Sequence, residues 1–241
     1  RSQFIIPRDK LRVVFETAIQ ACREQTLKHI SLPEGENFKL EFVTNKVWSG
    51  YNWYKGNYQS LIQINVELPI YIERAIDIGS HEDYPSHHTY NIQLEKNLVK
   101  EQKWLEYSVY PLFSPQSLIA EGSANYGVAM AFPEPLKKSF QREVLYPLAG
   151  IDPSLIDKYD ALLTLTSQLS YAGNEAARDY IDGKMSREQA IQWLINVELY
   201  PVEKAPQRIS FFDANRSYVI NYNVGKDLVK DYVEFNSKNV S

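Results

Sequence analysis

From Pro69 to the C-terminus, the sequence reads as a succession of amphipathic helices separated by prolines. Proline lacks a backbone N–H and its ring clashes with the preceding turn, so a proline inside a helical run ends or kinks the helix. The first of these helices follows Pro69 and carries Ile70, Ile72 and Ile76 before it reaches His81. Apolar spacing predicts further helices at about residues 87–108, 115–132, 134–147, 153–181, 186–199 and 213–236.

The N-terminal part of the chain combines one helix with a few strands. Apolar residues after Pro7 recur at helical spacing, which predicts an amphipathic helix that ends near His29. Between residues 38 and 67, two runs alternate between apolar and polar side chains on either side of the Ser49-Gly50 turn, as half-buried strands do. The sequence therefore predicts a mainly α fold of the α+β class, with one small antiparallel sheet before the helix that carries His81.

Length and composition limit the classes of function. The 241 residues, 44% of them hydrophobic, can bury a large core as one domain spanning residues 1–241. Acidic and basic residues are interspersed and the net charge is −4, which argues against nucleic acid as a partner. The longest apolar runs are far shorter than the roughly 20 residues that cross a bilayer, so we expect no membrane span. The single cysteine, Cys22, excludes an internal disulfide and favours a cytoplasmic location; the oligomeric state is not indicated.

Three of the four histidines fall within residues 81–88, and this cluster is the most informative feature for function. His81-Glu82 begins the H-E-x-x-H pattern, in which two histidines one helical turn apart bind zinc and the glutamate acts as the general base. The position of the second histidine is occupied by Pro85. The sequence therefore predicts a zinc site with His81 as a ligand and Glu82 as the base, but with a changed path to the second histidine.

Pro85 predicts a break in the helix, and the break leaves two candidates for the second ligand. On an unbroken helix, His88 lies two turns beyond His81 on nearly the same face, about 10.5 Å along the axis, whereas His87 points away. This geometry favours His88 as the second metal ligand and His87 as a donor on the substrate side. A kink at Pro85 can reverse the two roles.

A hydrolytic zinc site takes three protein ligands and leaves one position open for water. The third ligand is expected from another helix, and Glu121 is the best candidate because its helix is otherwise small and apolar and can pack close to its neighbour. Arg216, Tyr218 and Tyr222 follow later in the chain, with the two tyrosines one helical turn apart. Any of these three side chains could donate to the oxyanion that forms during hydrolysis.

Each of these residues also has a purely structural interpretation. The histidine cluster can be a solvated polar face, Glu121 can belong to a buried salt bridge, and Arg216, Tyr218 and Tyr222 can make structural hydrogen bonds. The aromatic segment 48–58 is more typical of core or scaffold than of a pocket.

Several runs resemble a bacterial family of unassigned biological function, which is regarded as a family of zinc metallopeptidases of the gluzincin type. The resemblance covers about residues 45–235. The hallmark of that family is H-E-x-x-P-G-H-H, and this chain departs from it at Ser86, where the family usually has glycine. The matching runs are residues 49–54, 62–65, His81-Glu82-x-x-Pro85-x-His87-His88, Glu121-Gly122, Arg216-Ser217-Tyr218 and Tyr222-x-x-Gly225.

The resemblance implies a helical zincin-like domain with an active-site helix, a preceding edge strand and a glutamate ligand from a later helix. Carried onto this chain, the roles fall to His81, Glu82, His87 or His88, and Glu121, with Zn²⁺ as the cofactor. We expect a peptide or small amide substrate, with its backbone added to the strand at residues 58–66. Family members are commonly longer at the N-terminus, so we expect the native chain to begin before Arg1.

Two rival functions remain at this stage. One is a metal-dependent hydrolase that acts on an ester or amide metabolite instead of a peptide. The other is a helical binding module that has lost catalysis.

Overall fold

The computed structural model describes residues 1–237. Most of this range is helical and the strands form one small sheet, so the mainly α, α+β fold is confirmed. The helices are α1 (Leu11–Leu27), α2 (Glu73–Glu82), α3 (His87–Gln93), α4 (Pro115–Ala131), α5 (Leu136–Phe140), α6 (Tyr146–Ala149), α7 (Ile156–Ser167), α8 (Ser170–Ile181), α9 (Arg187–Asn196), α10 (Ala205–Asn215) and α11 (Val224–Ser237), and the strands are β1 (Asn37–Val43), β2 (Gly50–Gly56) and β3 (Gln59–Asn65).

The sheet is mixed, so the prediction that it is antiparallel is wrong for one of its two pairings. Its order is β1-β3-β2, in which β2 and β3 form an antiparallel hairpin and β1 pairs parallel with β3. Alternating side chains reveal which faces are buried but not the direction of a neighbouring strand. Because β3 is the central strand, a substrate cannot add to it, which corrects the predicted role of residues 58–66; the edges of the sheet are β1 and β2.

The main core lies between α1, α2 and the inner face of the sheet. Phe15 and Ile19 of α1, Ile62 of β3 and Ile76 of α2 are fully or almost fully buried there. Each of these side chains contributes about 1.5–3 kcal/mol relative to exposure. Gly79 lets α1 approach α2 closely, since a Cβ at this position would lie 3.0 Å from Ile19 Cγ1. The core therefore fixes α2 firmly against α1.

The predicted helices are present, with different divisions. The helix expected at 153–181 is interrupted after Ser167, and the one expected at 213–236 is replaced by α10, a 3₁₀ segment Arg216–Tyr222, and α11. Sequence reasoning missed α10 because it treated Pro206 as a separator. Pro206 lies instead in the first turn of α10, where the missing N–H has no partner to lose.

The break expected at Pro85 is present. Helix α2 ends at Glu82, α3 begins at His87, and the Tyr84–Pro85 peptide bond is cis. The connecting residues pack on α4, where Ser86 Oγ donates to the Ala124 carbonyl at 3.0 Å. Gly127 makes room for them, because a Cβ there would lie 2.9 Å from Ser86 Oγ. Within residues 1–237, no helix combines the length and apolarity that crossing a membrane requires.

Candidate metal centre

His81, His87 and Glu121 come together beside the break between α2 and α3. Each offers one ligand atom, and these atoms all lie within 4.8 Å of one another. Glu121 faces both imidazoles, with Oε2 3.0 Å from His81 Nε2 and Oε1 3.5 Å from His87 Nε2. The two rings are nearly perpendicular, with centroids 4.7 Å apart. Two ligands that share a tetrahedral zinc ion lie about 3.4 Å apart, so these separations suit a common ion.

Helix packing explains why Glu121 reaches the histidines. Helix α4 packs on α2 and α11 packs on α4. The second contact is very close, because a Cβ at Gly122 would lie 2.3 Å from the Gly225 carbonyl oxygen and a Cβ at Gly225 would lie 2.6 Å from the Leu118 carbonyl oxygen. No side chain fits between the two helices at this crossing. The close packing of α11 on α4 at these two glycines therefore helps to hold α4, and with it Glu121, beside the break between α2 and α3.

His88 does not join the cluster, which corrects the prediction that it is the second metal ligand. It is fully buried, with Nδ1 2.7 Å from Ser60 Oγ and Nε2 3.1 Å from Glu36 Oε2. Tyr84 donates to the same Glu36 oxygen at 2.6 Å, and Arg23 is paired with the other oxygen. Consecutive helical residues point about 100° apart, so only one of the paired histidines can face Glu121. The turn of the chain at Pro85 selects His87.

Asn125 fixes which ring nitrogen of His81 carries a proton. Its Nδ2 donates to the Tyr222 carbonyl at 2.8 Å, so its Oδ1 is the atom that lies 3.1 Å from His81 Nδ1. Only a protonated Nδ1 can donate to that oxygen. In a neutral ring, Nε2 then presents a lone pair to Glu121 Oε2. Two acceptors at 3.0 Å repel each other unless a proton or a metal ion lies between them.

The Glu121 oxygens differ in their partners. Tyr218 OH donates to Oε1 at 2.6 Å, whereas Oε2 is buried and accepts no hydrogen bond from residues 1–237. A buried carboxylate oxygen without a donor is costly unless a cation satisfies it. The donor set of two imidazoles and one carboxylate is typical of catalytic zinc. The residues present therefore fit a zinc ion.

The charges of the cluster favour a cation in the same place. Burial opposes a proton on His81, but the facing Glu121 carboxylate outweighs burial and raises the pKa of His81 to about 9. Burial also opposes the charged form of Glu121, but His87 and His81 hold its pKa well below its ordinary range. A proton on His81 and a metal ion are alternative ways to satisfy this carboxylate.

Glu82 is the last residue of α2 and lies beside the first residue of β2, close enough to His81, His87 and Glu121 to interact with their charges. Its side chain is buried, and burial raises the pKa of its carboxyl even though His81 and His87 oppose the shift. A Cβ at Gly50 would lie 2.9 Å from Glu82 Oε1. Any larger residue at position 50 would therefore displace the Glu82 carboxylate. Asn52 Nδ2 donates to the Glu82 carbonyl at 2.6 Å and ties the end of α2 to the strand.

Arg216, Tyr218 and Tyr222 are not equivalent. Tyr218 donates to Glu121, and Tyr222 stacks on His81 with ring centroids 6.2 Å apart. Both hydroxyls have raised pKa values, first through burial and then through Glu121. Arg216 is exposed at the end of α10, with a φ of 54°, and within residues 1–237 it makes no hydrogen bond or ion pair with His81, His87 or Glu121. Its predicted role as an oxyanion donor is therefore corrected.

Sequence reasoning missed three residues of the site. Asn125 orients His81, and its position four residues after Glu121 on a helix was a signal that could have found it. Gly50 makes room for Glu82. Tyr51 lies near both acids, since burial and then Glu82 and Glu121 raise the pKa of its hydroxyl.

Comparisons with known proteins do not assign this chain to a family. No family model, curated protein or solved structure matches this chain. The zinc fit therefore rests on the geometry and chemistry of His81, His87 and Glu121.

Proposed function

We propose that this chain is a zinc-dependent hydrolase of the peptidase class, with His81, His87 and Glu121 as the metal ligands. The observation that carries the proposal is the convergence of His81, His87 and Glu121, whose ligand atoms lie within 4.8 Å of one another around the buried Oε2 of Glu121. Two imidazoles and a carboxylate in one buried site are the ligand set of a catalytic zinc ion, which would take the place of the proton between His81 and Glu121, and the adjacent Glu82 supplies a base where a hydrolase needs one.

The metal, when bound, supplies Lewis acidity that polarises a water molecule and a substrate carbonyl. Glu82 accepts the proton of the attacking water and passes it to the leaving amine. Asn125 and Tyr218 hold His81 and Glu121 in place.

Strand β2 offers a place for an extended substrate. It is an edge of the sheet and packs on α2 and α3, which carry Glu82 and His87. A peptide that lies against this edge gains main-chain hydrogen bonds, and its carbonyl can approach the metal centre. This arrangement favours peptides over small esters or amides as substrates.

Metal analysis is the first test. Protein purified without chelator is expected to contain one zinc per chain, and His87→Ala is expected to lose it. His29→Ala is the matched control, because His29 is exposed and outside the cluster. His88→Gln is also expected to keep zinc. Wild-type protein without stoichiometric metal after zinc reconstitution would favour a binding module and reject the proposal.

Catalysis is tested with Glu82→Gln. This variant is expected to keep zinc and to lose at least about 10²-fold in kcat on peptides, the scale of general-base catalysis. Glu16→Gln is the control, since Glu16 is an exposed acid on α1. Parallel screens of peptide and ester libraries separate a peptidase from another metallohydrolase. Undiminished turnover by Glu82→Gln would exclude its role as the base.

A further inference from the structure

A small cationic pocket lies at the start of β2, beyond the metal centre. Its cavity of about 20 Å³ is enclosed by the beginning of β2, the first turns of α2 and the start of α10. Ser49, Arg74 and Lys204 contribute its polar wall, and Ile78 contributes apolar wall. A cavity of this size holds one or two oxygen-sized atoms.

Of the two cations of this pocket, Lys204 has no ion-pair partner in the part of the chain that the structure describes, and Arg74 has only a long one. Within residues 1–237, no carboxylate lies within 4.0 Å of the Lys204 ammonium, whose Nζ lies 5.1 Å from the centre of the Tyr71 ring. Arg74 Nη1 lies 4.0 Å from Asp77 Oδ2, and the other oxygen of that carboxylate is 3.3 Å from Lys137 Nζ. Two positive charges that face one half-buried cavity repel each other and attract an anion.

The electrostatics of Lys204 agree with this geometry. Burial, followed by the charge of Arg74, lowers the pKa of Lys204 to about 8, and Glu73 and Glu203 only partly offset this effect. An anion in the pocket would restore the ammonium to its ordinary charged state. The pocket is therefore prepared for a negatively charged group.

The amides near the pocket are already engaged. Gln207 Nε2 donates to the Lys46 carbonyl at 2.9 Å, and Asn65 Nδ2 donates to the same oxygen at 2.8 Å. These hydrogen bonds hold the two side chains in place and leave few amide N–H groups free to bind a ligand. The groups that can bind an anion in the pocket are therefore Arg74, Lys204 and the Ser49 hydroxyl.

The pocket and the metal centre share one stripe of α2. Arg74, Ile78 and Glu82 are spaced by four residues, so they lie on the same helix face over about 12 Å of axis. A Cβ at Gly50 would lie 2.9 Å from both Ile78 Cγ2 and Glu82 Oε1. The side chain of Ile78 therefore connects the pocket to Glu82 beneath the first residue of β2.

The charge of the pocket sets the direction of a substrate on β2. A peptide antiparallel to β2 has its C-terminus near Ser49, where the cations are, whereas a parallel peptide would bring its positively charged N-terminus there. At about 3.4 Å per residue, the roughly 12 Å of helix axis from Arg74 to Glu82 equals the length of about three or four residues of an extended peptide. In the antiparallel direction, the negatively charged C-terminus of the peptide therefore lies near the positively charged Arg74 and Lys204.

We infer that Arg74 and Lys204 bind the free C-terminal carboxylate of the peptide substrate, which makes this chain a carboxypeptidase that releases short C-terminal peptides. This inference rests on the proposed function. The bond that breaks is the amide held at the metal centre; water adds to its carbonyl carbon, and the released amine takes up the proton.

The test compares matched N-acetylated hexapeptides that end in a free carboxylate or in an amide. Zinc-loaded wild-type protein is expected to cleave the free acids at least about 10-fold faster in kcat/KM, with products of a few residues from the C-terminus. Lys204→Met is expected to reduce this preference to about twofold or less through KM. Lys204→Glu is expected to reverse the preference.

Control measurements separate a local effect from misfolding. Lys184→Met removes the same charge from an exposed lysine in the turn after α8 and is expected to keep the full preference. Zinc content and thermal midpoints of all variants are compared with wild type. If wild-type protein cleaves acids and amides equally, the inference is overturned while the proposed function stands.

If zinc-loaded protein cleaves neither peptide, the proposed function fails, and direct binding still decides the inference. Isothermal titration with the same peptide pair is then expected to show tighter binding of the free acid by wild type, and loss of that difference in Lys204→Met. Equal binding of acid and amide by wild type would refute the carboxylate site.

Discussion

The hydrogen bond between His81 and Asn125 gives the sharpest test of how the site holds a metal. Asn125→Leu removes the acceptor of the His81 Nδ1 proton and the donor to the Tyr222 carbonyl. The lost bonds are worth about 0.5–1.5 kcal/mol each, and an unsatisfied carbonyl costs about 1–3 kcal/mol. Partners that orient a metal-bound histidine typically contribute about 10- to 100-fold in affinity. We expect the zinc Kd of Asn125→Leu to rise by that factor.

The assay is competition with a chromophoric chelator for zinc at fixed pH, together with urea unfolding of the metal-free protein. Asn125→Asp is the matched variant, because either carboxylate oxygen accepts from His81 Nδ1 while the donor to the Tyr222 carbonyl is lost. It is expected to bind zinc at least as tightly as wild type, although its metal-free form is less stable. The contrast separates the orientation of His81 from general damage to α4.

The reasoning fails if Asn125→Leu binds zinc within about twofold of wild type. His81 would then not need a fixed tautomer, and the lone pair directed at Glu121 would lose its significance. Equal weakening in the leucine and aspartate variants would also refute it, because the bond to the Tyr222 carbonyl would then be the one that matters.

Three further predictions concern the fold and the site. Gly225→Ala places a Cβ 2.6 Å from the Leu118 carbonyl oxygen and is expected to lower the free energy of unfolding by about 1–3 kcal/mol in urea titrations, whereas Ser123→Ala on α4 should change it little. Gly50→Ala is expected to displace Glu82 and to lower kcat with zinc content unchanged; an unaltered kcat would show that Glu82 tolerates the shift. Burial opposes ionisation of Glu36, but its three hydrogen-bond donors outweigh burial and lower its pKa to about 2 from 4.5. Because a depressed carboxyl pKa stabilises the fold above the unfolded value, the stability difference between wild type and Glu36→Gln should be full above about pH 4.5 and shrink as the pH falls toward 2 in unfolding titrations.

Part of the site could be predicted because its signals are local. Helical spacing and proline sterics act within a few residues, so the helix before His81 and the break at Pro85 follow from the sequence. Glu121 stood out as a carboxylate in a small, apolar helix, and the structure places it beside His81. Its role as a metal ligand remains a prediction for metal analysis.

Other features depend on partners that are far apart in sequence. The direction of β1 against β3 is set by packing of the whole sheet, and alternation within one strand does not contain it. Arg216, Tyr218 and Tyr222 were expected on one helix at 213–236, but α10 ends at Asn215 and Arg216 is exposed. These errors share one cause, which is that a local pattern does not specify how one element is rotated against another.

The sequence by itself determined the helical class, the break at Pro85 and the residue types available for a metal, because periodicity and steric exclusion are properties of neighbouring residues. Only the tertiary structure decided which of His87 and His88 faces Glu121. The choice depends on the rotation of α3, which is fixed by Glu36 and Ser60 on one side of the chain and by Glu121 on the other. Those contacts join elements distant in sequence, and their free energies are settled only when the elements pack.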